Sequence, residues 1–202
     1  KSRAEHYVAY YEGKHLSSEE SVESLVNMRE LRFMSQLLLL MFADKIPKDL
    51  FKDFCKRIEN LLFAYTITGK LTKDFESLFC KWTKKIAEID TVQKYDEFIN
   101  NDFDEEFNSQ KNSFELRFVE LSQAGKTKYR KRYVLSKLGK YLERAITNSD
   151  IKSRKTIEEE NKEIEHILTQ NPPEDLKIRF ESTLNDGESY SEFVQKLGNL
   201  TL

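Results

Sequence analysis

Between Pro47 and Gly69 the chain reads PKDLFKDFCKRIENLLFAYTITG, and its apolar residues recur every three or four positions. Leu50, Phe51, Phe54, Ile58, Leu61, Leu62 and Tyr65 therefore share one side of an α-helix. Proline fits the first turn of a helix but not its interior, and glycine readily takes the left-handed conformation that ends one. The stretch is thus bounded at both ends. It predicts an amphipathic helix of about six turns, which a chain can stabilise only by burying that side against other elements.

The pattern recurs along most of the sequence. LTKDFESLFCKWTKKIAEI sets Phe75, Leu78, Phe79, Trp82, Ile86 and Ile89 at helical spacing. Upstream, Ser17 to Glu20 (SSEE) predicts a helix start, with hydroxyl caps followed by carboxylates in the first turn. The run from Val22 through Leu25, Met28, Leu31, Met34 and Leu38 to Met41 predicts one helix, apolar all round from Leu37 and central in the core. Residues 1–12 read as a helix tail ended by Gly13. YDEFINNDFDEEF and SFELRFVEL follow, and RYVLSKLGKYLERAI lines up Tyr133, Val134, Leu138, Tyr141, Leu142 and Ile146 on one face. Fourteen Phe and nine Tyr against six Gly and three Pro favour long helices over turn-dense sheets.

The character changes after Asn148. NSDIKSRKTIEEENK has no apolar face wide enough for a core helix and reads as a connector. EIEHIL reads as a short strand, and TQNPPED as a turn, because Pro172-Pro173 suits neither a continuing helix nor a central strand. LKIRFESTL reads as a short helix, NDGES as a loop, and SEFVQKLGNLTL as a helix or turn ending in a strand. The expected architecture is mainly α. A multi-helix domain occupies residues 1–150, followed at 151–202 by a connector and a small α+β module.

Net charge is only −2, so the chain is not a polycation that coats nucleic acid, but the charge is segregated. Glu88 to Glu106 holds eight acidic residues and one lysine, whereas Lys126 to Arg144 holds eight Lys/Arg and one Glu. Lys126, Lys128, Arg130, Lys131, Arg132 and Lys137, interleaved with Tyr129 and Tyr133, fit a surface that contacts phosphates. They fit better still a solvated helix face matched to the acidic block within the protein.

Cys55 and Cys80 are too few for a disulfide framework or a four-cysteine zinc site, so a reduced cytoplasmic setting is expected. The longest apolar run, Leu37 to Ala43, falls far short of the ~20 residues of a membrane span. KSRAEHYVAYY lacks the apolar core of a signal peptide. No glycine-rich phosphate loop is present to bind a nucleotide. A start at Lys1 rather than Met reads as part of a longer chain.

His166 in EIEHILTQN, taken alone, reads as a packing residue. Read with LGNLTL at the C-terminus it resembles a known pattern. Ile164, Glu165, His166, Ile167 and Gln170, then Gly198, Asn199, Leu200, Thr201 and Leu202, are similar to the two motifs of the HNH-type (ββα-metal) nuclease domain ending GmrSD-like, modification-dependent (type IV) restriction endonucleases. LLFAYTITG and KYRKRYVLSKL also resemble segments upstream of that domain.

The resemblance implies a metal-dependent DNA endonuclease of anti-phage restriction. His166 would be the base that deprotonates water, Glu165 a ligand for Mg²⁺ or Mn²⁺, and Asn199 the residue that holds the loop and orients the base. It implies modified phage DNA as partner, and a nucleotide-hydrolysing N-terminal domain or subunit as the place where nucleotide binds. Thr169 stands where the family usually has proline, which predicts a looser loop after the base. The helix that carries the second metal ligand would follow Leu202, so little cleavage is expected from these 202 residues. The competing expectation is a non-catalytic helical module of a defence complex that binds DNA or protein.

Overall fold

The structure is a computed structural model that describes residues 3–15, 21–119, 128–147, 163–184 and 187–201. It is mainly helical with one small two-stranded sheet, and it divides into two compact units, Lys1–Val119 and Glu120–Leu202.

In the first unit α1 (Arg3–Tyr11) ends before Gly13, which lies at φ +79°. A Cβ there would come within 2.5 Å of Val26 Cγ2, so glycine is required both by the turn and by the close approach of the next helix. The predicted start at Ser17–Glu20 lies outside the described residues apart from its sequel: α2 (Glu23–Glu30) begins after Val22, which offers no capping oxygen.

The single helix expected over Val22–Met41 is instead two, because α2 stops and α3 (Ser35–Leu40) starts afresh. Arg32 between them sits at φ +56°, a conformation that costs a non-glycine residue about 1–2 kcal/mol. The gain is that Leu31 and Phe33 are both buried. Two residues apart on one continuous helix they would face nearly opposite ways.

The helix α4 (Lys48–Thr68) follows Pro47 and ends at Gly69, φ +73°, as its sequence bounds predict. Phe51, Phe54, Ile58, Leu61, Leu62 and Tyr65 are all buried, and the helix packs on α2 and on α8 (Lys111–Val119). The amphipathic helix α5 (Thr72–Ile86) packs on α3. Trp82 on it meets Phe98 edge-on, with ring centroids 5.3 Å apart, and Phe103 at 5.9 Å. Those two rings come from the acidic stretch, which forms α6 (Val92–Phe98), a π-helical turn (Ile99–Phe103) and α7 (Asp104–Ser109). Phe98 and Phe103 are five positions apart, a spacing that an α-helix would splay apart and that a π-turn returns to one face. Both are buried.

The acidic block has partners in its own unit. Asp90 pairs with Lys94, Asp102 with Lys85 and Asp104 with Arg57, while Glu106 accepts from Tyr65 Oη at 2.6 Å. Arg57 also donates to Asp53, and Tyr95 Oη donates to the same carboxylate at 2.7 Å. His6 is buried beside Tyr10, and His15 packs its edge against Phe51.

In the second unit α9 (Lys128–Thr147) buries Tyr133 and Val134 in its first half only. The apolar face expected along its whole length is not covered: Tyr141, Leu142 and Ile146 are 70%, 56% and 82% exposed. The strand β1 (Glu165–His166) pairs antiparallel with β2 (Leu200–Thr201), so the two sequence motifs form one ladder. Between them run α10 (Glu174–Glu181), entered through Pro173, and α11 (Tyr190–Val194), followed by a 3₁₀ turn over Leu197–Asn199. Phe180 on α10 is edge-on to Tyr190 at 5.5 Å and to Phe193 at 5.0 Å, which joins the two short helices through aromatic contact.

Candidate functional site

Two residues per strand make a ladder too short to stand by itself. What holds it is the side chain of Asn199. This residue is 4% exposed and ends the 3₁₀ turn just before β2. Its Oδ1 accepts from the backbone N–H of Leu168 at 2.8 Å, and its Nδ2 donates to the carbonyls of Val194 at 3.0 Å and Leu168 at 3.4 Å. Its own carbonyl accepts from the N–H of Ile167 at 2.8 Å. An asparagine amide offers an acceptor and two donors on one planar group, so it satisfies backbone groups of separate segments at once. Aspartate or leucine of similar volume lacks that set.

The loop following His166 is fastened again one residue later. Tyr190, 3% exposed, donates from Oη to the carbonyl of Thr169 at 2.7 Å. Thr169 Oγ1 in turn accepts from the N–H of Asn171 at 3.3 Å. Thr169 therefore sits in a held turn, with its hydroxyl supplying a local bond of the kind that threonine favours. Tyr190 is set by its own helix start. Ser189 Oγ accepts from the N–H of Glu192, and the Glu192 carboxylate accepts from the Ser189 N–H at 3.0 Å. Those bonds hold the Glu192 carboxyl below its ordinary range. The Tyr190 N–H donates to Glu181 Oε1 at 2.9 Å, which ties α11 back to α10.

The structure brings His166 and Asn199 together, since His166 is the ladder partner of Leu200, next to Asn199. The imidazole is half-buried, and Gln170 Nε2 lies 3.1 Å from His166 Nε2. The ring thus keeps part of its surface in contact with solvent while the Gln170 amide lies against one of its nitrogens. Glu165 is exposed, and as the strand neighbour of His166 it projects to the other side of the ladder. Among the described residues no group of three or more His, Cys, Asp or Glu side chains is arranged to hold a metal ion. Glu165 by itself is one oxygen donor where Mg²⁺ or Mn²⁺ takes about six, so the described residues do not make up a site for either ion.

Of the expected DNA-contacting residues, Lys126 lies outside the described residues and Lys128 is described in its backbone alone. Arg130, Lys131 and Arg132 occupy the first turns of α9, partly buried. Arg132 reaches Glu163, two residues before β1, at 3.7 Å. Lys137 turns back along its helix, with Nζ 3.2 Å from Tyr133 Oη and 5.6 Å from that ring's centre.

Sequence reasoning assigned no role to Tyr190 or to the amide of Gln170. The signal for the first was present in SYSE, Ser189 to Glu192, which has the spacing of a capping box and marks a helix start at Tyr190.

Comparison with known families agrees with this part of the chain. Residues 108–202 match the family model described as GmrSD restriction endonucleases, C-terminal domain. The matched stretch runs from the end of α7 through β2 and contains α9, His166 and Asn199. It supports a GmrSD-like restriction endonuclease C-terminal region there. Comparisons with curated proteins and with solved structures give no match.

Proposed function

We propose that residues 163–201 belong to the DNA-cleaving centre of a metal-dependent HNH-type restriction endonuclease that acts on modified phage DNA. His166 takes the proton from the water that attacks phosphorus, the P–O bond to the leaving sugar oxygen breaks, and Asn199 keeps the loop beyond His166 in place. The observation that supports this reading most is the Asn199 amide. It fastens a ladder whose one half-buried imidazole faces solvent. A purely structural ladder has no need of that imidazole. Arg130, Lys131, Arg132 and Lys137 of α9 are assigned to DNA phosphates, Arg132 also reaching Glu163 and Lys137 lying against Tyr133. The Mg²⁺ or Mn²⁺ dependence that the resemblance implies calls for donors additional to Glu165. Nucleotide is assigned to a separate N-terminal domain or subunit, and the setting to the reducing cytoplasm that two isolated cysteines fit; no described helix is long and apolar enough to cross a membrane.

A second reading is a non-catalytic module that docks a partner protein, favoured by the exposed Tyr141, Leu142 and Ile146 of α9. One experiment separates the two. In the full-length protein His166→Ala is expected to lower cleavage of phage DNA carrying modified bases by on the order of 10²–10⁴-fold, with DNA binding retained. Cleavage at the parental rate overturns the nuclease reading and leaves the docking module.

A further inference from the structure

Arg132 of α9 is a mostly covered cation: its side chain is 21% exposed, and its guanidinium ends 3.7 Å from the carboxylate of Glu163. Glu163 precedes His166 by three positions, at most about 11 Å of chain. The pair therefore sets a cation of the basic helix close to the strand that carries the imidazole. Both α9 and β1 belong to the second unit, so this is a relation within one compact body. The contact itself is loose. At 3.7 Å it is an ion pair and not a hydrogen bond. Its acidic member is 66% exposed, a long side chain that gives up freedom to stay in place.

From this geometry we infer that Arg132 is an exchangeable phosphate subsite near His166. In the free protein the Glu163 carboxylate stands in for the phosphate, and a DNA phosphate takes its place on the guanidinium when the duplex binds. The inference deepens the proposed nuclease reading and rests on it for the identity of the ligand. A guanidinium is a planar fork of N–H donors that matches two phosphate oxygens at once. A carboxylate oxygen held at ion-pair distance does not engage the fork in that way, so the exchange trades a weak contact for a stronger one. Glu163 then has two effects. It keeps Arg132 turned toward the strand before DNA arrives, and it weakens binding, because its charge must swing aside before a phosphate can enter.

Binding of fluorescein-labelled duplex DNA to the full-length protein, followed by anisotropy in EDTA so that no cleavage occurs, tests the exchange. Glu163→Gln is expected to tighten binding about 3- to 5-fold, the size of an exposed ion pair. Arg132→Gln is expected to weaken it and to flatten the slope of its salt dependence by about 0.9, the share of one phosphate. In the Arg132→Gln background the gain from Glu163→Gln should vanish, because the carboxylate then has no cation to occupy. Binding no tighter in Glu163→Gln overturns the inference. So does a gain of the same size with and without Arg132, which is what a general change of charge would give. The first outcome needs a substitution at an exposed side chain only, and circular dichroism at the parental level certifies the fold of each variant. A parent protein that binds no duplex defeats the DNA reading and this inference with it, whereas loss of cleavage in His166→Ala bears on the base and leaves these affinities where they were.

Discussion

The side-chain amide of Asn199 closes on the backbone of Leu168 at both of its polar atoms, with Oδ1 accepting from the N–H at 2.8 Å and Nδ2 donating to the carbonyl at 3.4 Å. Thirty-one positions of sequence separate the two residues. This bond pair imitates one step of a β-ladder at the point where the ladder itself has run out, and so extends the pairing of two very short strands.

Asn199→Asp is the informative substitution at that point. It keeps the volume and the acceptor for Leu168 N–H but removes the donor to the carbonyls of Leu168 and Val194, and it puts a charge in a buried place. The expected loss is about 1–3 kcal/mol in the stability of this segment. Amide exchange at Ile167 and Leu168, followed by mass spectrometry or NMR, should quicken in the variant. Protection equal to the parent would show that the clamp contributes nothing.

Tyr190→Phe removes a single hydroxyl from a residue that stays buried against Phe180. The Thr169 carbonyl loses its donor, at a cost of about 1 kcal/mol. Faster exchange confined to residues 168–171 checks it, and a change spread evenly over the chain would speak against a local role.

Asp53 carries a pH dependence whose sign follows from its surroundings. Partial burial pushes its carboxyl up, but the Tyr95 hydroxyl and the Arg57 guanidinium push it down further, and the net shift is downward. A carboxyl whose folded value lies below its unfolded value contributes stability above the unfolded value. That contribution disappears as pH falls through the folded one. Asp53→Asn should therefore lower the urea midpoint at pH 7 and differ progressively less from the parent as pH is taken below the ordinary aspartate range. A gap independent of pH would mean that the effect is not one of charge.

Arg130→Glu with Lys131→Glu is expected to weaken binding to duplex DNA. The slope of its salt dependence should flatten by about 0.9 for each phosphate left without a cationic side chain. Lys137→Gln should do much less, because it removes a single positive charge where the double substitution reverses two. Filter binding at several salt concentrations measures both. Equal effects of the two changes would contradict the assignment made from α9.

Much of the helical framework is legible because its punctuation is local. Pro47 and Gly69 bracket α4, Gly13 ends α1, and the 3.6-residue periodicity of α5 is carried by large side chains that have nowhere else to go. The break at Arg32 is not legible, since no glycine or proline marks it and the preference for it arises from Leu31 and Phe33 finding the same core. The π-turn at Ile99–Phe103 is likewise a choice made by packing around Trp82. Periodicity misleads in α9, where an apolar stripe predicts burial along the helix although only its first half is covered. The ladder of the candidate site is foreshadowed by two strand-like segments, but the contact between Gln170 and His166 depends on a chain reversal that no local pattern encodes.

Trp82 is the chain's single tryptophan, and it sits 3% exposed in the first unit among Phe79, Phe98 and Phe103. Its fluorescence is thus a dye planted in the first unit, among that unit's own aromatic rings. Followed through the same denaturant series, emission reports on the surroundings of Trp82 and helical circular dichroism on the helices of both units. If the curves part company, the two units melt on separate schedules, and a lesion at Asn199 or Tyr190 that moves the dichroism without moving the emission marks the second unit as the one that gives way first.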